Sequence, residues 1–203
     1  MGQVFDTELK KAYAKAANKP ADLEQFRQVI YTQFNTGSNQ LLEVIFAHLQ
    51  GPKGVHLETA LSAAGALAGT LLLRSSGIDL SPSKPGTPVF TDAVNESGPE
   101  VLVFMQAFSQ QMGIPPFSGW DKPVPNDHKS LEPLMDLVRA LEKPFTELSQ
   151  KLGVFETLRP YMAALGAVKI MKSGEKALNP EISKAIIMSS LVTASKTMPY
   201  PVQ

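Results

Sequence analysis

The chain has 203 residues, 43% hydrophobic and 19% charged, with no cysteine and with nineteen basic side chains balanced by nineteen acidic ones. That is the composition of a globular chain long enough for one substantial core. The zero balance lacks the basic footprint of a nucleic-acid binder, and the missing cysteines exclude disulfides, thiolate metal sites and a cysteine nucleophile.

The opening MGQVFDTELKK has no apolar signal core, and Asp6 stands where a myristoylation pattern wants Ser or Thr, so a soluble cytoplasmic protein is expected. Phe5, Leu9, Ala12, Tyr13 and Ala16 repeat at helical spacing and predict a first helix over 4–18. A second starts at Pro20, with Asp22 and Glu24 at its positive end, carries Leu23, Phe26, Ile30 and Phe34, and ends at Asn35-Thr36-Gly37. A third, capped by Thr36 or Ser38, turns Leu41, Leu42, Ile45, Phe46 and Leu49 inward and stops at Gly51-Pro52.

The fourth, at about 55–74, contains LETALSAAGALAGTLLL, uncharged from Thr59 to Leu73. A helix that is apolar or small on every side has to be surrounded by protein. Gly65 and Gly69 leave a groove for a neighbouring backbone, and Ala64 and Ala68 line the same small surface. The apolar run is shorter than the roughly 20 residues a membrane span requires. The expectation is a buried central helix and no membrane crossing.

Nine of the sixteen prolines lie between Pro82 and Pro133, where only 99–112 reads as helical, through Val101, Phe104, Met105 and Phe108. After Ser130, taken as a cap, Leu134, Leu137, Val138 and Leu141 face inward, and Pro144 bends or breaks this helix. Residues 157–172 hold another small set, including Ala163 and Gly166. Asn179-Pro180-Glu181 starts a last helix over 180–197, with Ile182, Ala185, Ile186, Ser189 and Val192 as its inner face. The predicted fold is all-α: one domain over 1–203, seven to nine helices around the small-residue helix, and long Pro-rich loops at 75–97 and 113–129. Ala64, Gly65, Ala68, Gly69, Ala163 and Gly166 are the expected core contacts.

Motifs for chemistry are sparse. His48, His56 and His128 show no zinc or di-metal spacing, and neither G-x-S-x-G nor a phosphate loop occurs, so no metal and no cofactor are expected. The second loop interleaves Ile114, Phe117, Trp120 and Val124 with prolines and leads to Asp127 and His128. It reads as a segment packed over the bundle. As a lid or arm it would offer Phe117, Trp120, Asp127 and His128 to a ligand or partner. An acid/base role for Asp127–His128 needs an orienting partner that the sequence does not supply.

The functional expectation is a non-catalytic interaction protein that self-associates as a homodimer, because three small-faced helices exceed what one central contact needs. The alternative is a binding protein for a small apolar ligand under the 113–129 loop, with Met105, Met112, Met135, Met162, Met171 or Met188 as lining. An enzyme using His128 ranks third.

Overall fold

Small residues decide how closely the helices of this chain approach. The computed structural model describes residues 11–80, 83–115 and 122–202, and among these the secondary structure is helical with no strand. After α1 (11–17) come α2 (Pro20–Leu49), α3 (Leu57–Ser75), α4 (Asp92–Gln111), α5 (Leu134–Lys151), α6 (Arg159–Gly174) and α7 (Pro180–Ser195). Two single 3-10 turns, Asn126–His128 and Glu156–Leu158, precede α5 and α6. One contiguous hydrophobic cluster draws on all six helices from α2 to α7. No described helix is long and apolar enough to cross a membrane.

α3 lies at the centre, buried continuously from Thr59 to Leu73. A Cβ on Gly65 would stand 2.7 Å from the Ile187 carbonyl oxygen of α7. One on Gly69 would collide with the Leu191 carbonyl oxygen and lie 2.9 Å from the Ser195 amide nitrogen. α3 and α7 therefore meet backbone to backbone, with Ala64 and Ala68 fully buried beside the contact. On α6, Gly166 receives Leu41 of α2, Gly174 receives Leu57 of α3, and Ala163 is fully buried. The small faces that the sequence offers for a two-fold interface are thus taken up inside the chain.

Several boundaries differ from the sequence reading. Residues 20–49 form one helix, not two: Gly37 is no stop, because Met162 of α6 occupies the space a Cβ would need. Ser38 caps nothing and donates back along the same helix to the Phe34 carbonyl at 2.6 Å. α4 begins at Asp92, not Pro99, because Thr91 caps it by accepting the Ala93 amide. Pro99 sits inside that helix on its exposed side, where one bond is lost without a clash against the core.

The first loop therefore spans 76–91 and not 75–97. It is pinned to the chain beyond α7 by Gly86 N–H to Met198 O, Met198 N–H to Thr87 O and Val89 N–H to Lys196 O, each 2.8 Å. Ser130 does not cap α5, which starts after Pro133; its hydroxyl closes a local turn with the Glu132 amide and carbonyl. α5 continues as helix through Pro144.

Gly77 ends α3 in the left-handed region at φ +75°, and Asn179 caps α7 by accepting the Glu181 amide at 2.9 Å, both as read from the sequence. The inner face of α7 is rotated from the expected one. Ile187 and Leu191 meet α3, while Ser189 and Val192 face outward. The close contact dictates this rotation, since it needs the α7 main chain against Gly65 and Gly69.

Candidate functional site

The chain's three histidines come together with acidic groups at one end of the bundle. Pro123 and Pro125 stiffen the approach to the 3-10 turn Asn126–His128, closed by His128 N–H to Pro125 O at 3.0 Å. That turn points the His128 ring at Glu58 in the first turn of α3, with Nδ1 3.0 Å from Oε1. The other carboxylate oxygen of Glu58 lies 3.3 Å from His56 Nε2. His56 Nδ1 is 2.9 Å from Thr59 Oγ1, which also accepts the Leu131 amide at 2.9 Å. One position on, Glu132 Oε2 lies 3.8 Å from His48 Nε2 at the end of α2.

Glu58 is the hub, with its side chain only 15% exposed. Burial pushes its pKa up, but the His128 hydrogen bond, its own backbone amide and the neighbouring imidazoles outweigh that, holding the carboxyl below its ordinary value. Its place in the first turn of α3 also sets the negative charge against the positive end of the helix dipole. Glu58 is the orienting partner for His128 that the sequence alone could not name, seventy residues away in the chain.

With Nδ1 turned to Glu58, Nε2 is the His128 nitrogen left to face a reacting group. Asp127, the other predicted residue, approaches that nitrogen only to 3.8 Å, and its side chain is 80% exposed. The nearby hydroxyls are committed: Thr59 to His56 and Leu131, Ser130 to Glu132. Among the described residues no group of three or more His, Asp or Glu side chains has the geometry to hold a metal ion. What the arrangement does in the folded chain is clasp the end of the second loop to the start of α3.

Phe117 and Trp120, the predicted aromatic contacts, lie outside the described residues. The adjoining Lys122, Pro123 and Val124 lie over α7 and enclose with Met188, Ser189, Val192 and Thr193 a shallow cavity of about 280 Å³. A second cavity, of about 210 Å³, opens between α2, α4 and α6 among Tyr31, Phe34, Phe108, Met112 and Leu165. Lys169 stands at its edge, its Nζ held by the Asn35 carbonyl at 3.1 Å and Asn35 Oδ1 at 2.7 Å, and burial lowers its pKa. Of the predicted methionine lining, Met112 and Met188 reach cavities, whereas Met105, Met162 and Met171 fill the core.

A cavity of about 640 Å³ lies between α5 and the C-terminal segment, which sequence reasoning passed over. Arg74, at the end of α3, builds one wall by gripping both carboxylate oxygens of Glu142 and the Tyr200 carbonyl, the last at 2.6 Å. Arg139 lies over the Tyr200 ring, 5.1 Å from its centroid. Comparisons with protein-family models, curated proteins and solved structures find no match for this chain.

Proposed function

We propose that this chain is a non-catalytic helical interaction protein that pairs with a second copy through the first half of α2 and the adjoining α1. One observation carries the reading. The apolar stripe of α2 is buried against the bundle at Phe34, Leu41 and Ile45, yet runs on N-terminally through Leu23, Phe26 and Ile30, which are only half-buried. Val29 and Tyr31 beside it are 48% and 59% exposed, and Tyr13 of α1, edge-on to Phe26 at 6.2 Å, is 49% exposed. At about 1.5 Å per residue, α2 is about 45 Å long, so this stripe reaches well past the core. Contiguous apolar surface of this kind marks interaction sites, and tyrosines are favoured at their centres.

A copy of the same chain fits because the net charge is zero and opposes no self-association. Sedimentation equilibrium at micromolar concentration is expected to give twice the 22.0 kDa chain mass. The double variant Val29→Glu/Tyr31→Glu, with unchanged helical circular dichroism, is expected to return the single mass. A parent that stays monomeric refutes the proposal.

A second reading, a small apolar ligand under the end of the 113–129 loop, is supported by the cavity between Val124 and Met188. At about 280 Å³ it falls at the lower edge of ligand-sized pockets, which run from about 300 to 1,000 Å³. Saturable binding of an apolar probe that Met188→Glu abolishes would favour it.

A further inference from the structure

We propose that the groove between α5 and the C-terminal segment binds an amphipathic organic anion, an apolar body carrying one anionic head. This is independent of the self-association reading. At about 640 Å³ the groove lies well inside the range of small-molecule sites. Its apolar surface comes from Ala140, Pro144, Tyr200 and Val202. Arg139 and Lys143, one turn apart on α5, add two cations. Among the described residues neither has a carboxylate within ion-pair distance, and Arg139 makes its contact with the Tyr200 ring instead.

The acids of the groove do not cancel these charges. Glu142 has its side chain only 5% exposed and is neutralised by Arg74, which among the described residues of the groove leaves Asp136 at the rim as the one free acid. Arg74 also anchors Tyr200, so the wall formed by the C-terminal segment is held in place before any ligand arrives. Preorganisation lowers the ordering cost of binding. Pro144 has no N–H to give the Ala140 carbonyl, and so the helix interrupts its own hydrogen bonding within this groove. Two unpaired cations over apolar walls match an anionic head with an apolar body. A neutral ligand with the same body would leave the charges unused.

The test uses the full chain and 1-anilinonaphthalene-8-sulfonate, an amphipathic anion whose emission rises in apolar sites. Decanoate is expected to displace the bound probe, and decanol, with the same chain length and no charge, to need at least ten times the concentration. Arg139→Ala/Lys143→Ala is expected to weaken decanoate binding at least tenfold with unchanged circular dichroism, and Arg139→Lys to retain it. Should the double variant fail to fold, Lys143→Ala alone, whose side chain has no partner to lose, must still weaken decanoate binding. Equal displacement by decanol, no displacement by decanoate, or unchanged affinity in the folded charge-removal variants overturns the proposal.

Discussion

Adding one methyl group to Gly69 tests the close contact between α3 and α7. The new Cβ meets the Leu191 carbonyl oxygen and, at 2.9 and 3.0 Å, the Ser195 amide nitrogen and the Leu191 carbonyl carbon. All three are main-chain atoms of a helix, so none can rotate aside and α7 has to move away from α3. Overpacking of this kind costs about 1–3 kcal/mol, and the rigid obstruction argues for the upper end. Replacing a helical glycine by alanine returns about 1 kcal/mol, which leaves a net loss of roughly 2 kcal/mol for Gly69→Ala. For a chain of this length that lowers Tm by roughly 4–8 °C. Calorimetry of this variant beside the parent decides the matter. A Gly69→Ala chain melting at or above the parent would refute the backbone-to-backbone packing of α3 on α7.

Two further outcomes follow from buried charge. Arg74→Leu leaves the Glu142 carboxylate buried without a counter-charge and should cost about 3 kcal/mol, the lower end for such pairs because Arg74 itself reaches solvent. Arg74→Leu/Glu142→Leu should recover much of that loss in a urea titration; no recovery would mean that the Tyr200 tether matters more than the pair. The depressed pKa of Glu58 means that the unfolded chain takes up this proton first as pH falls. Its contribution is therefore complete above the ordinary glutamate range and is lost as pH drops through the folded-state value. Glu58→Gln should flatten that acid limb of the stability curve and loosen the clasp on His128. An unchanged acid limb would remove Glu58 from its place as hub.

The parts of this fold legible in the sequence are those whose cause is local. Asn179-Pro180-Glu181 reads as a helix start because the cap, the restricted φ and the dipole all act within one turn, and α3 reads as central because its own residues are small on every side. Gly37 shows the limit. The same residue that ends helices elsewhere admits Met162 here, and only the position of α6, more than a hundred residues on, tells the two uses apart. Pro99 and Pro144 read as boundaries for the same reason, since their tolerance depends on facing outward. The site divides likewise. Asp127 and His128 stood out in sequence, whereas Glu58, His56 and Arg74 carry no local signal and gain their roles only where the loop end and the C-terminal segment return to α3.

The pairing of two copies through α2 is tested most directly by Val29→Cys, in a chain that has no other cysteine. Under mild oxidation the account predicts that most of the protein becomes a disulfide-linked species of twice 22.0 kDa on non-reducing electrophoresis, while Lys176→Cys, beyond the far end of α6, stays at the single mass. Equal cross-linking of the two variants, or none at Val29→Cys, would contradict it.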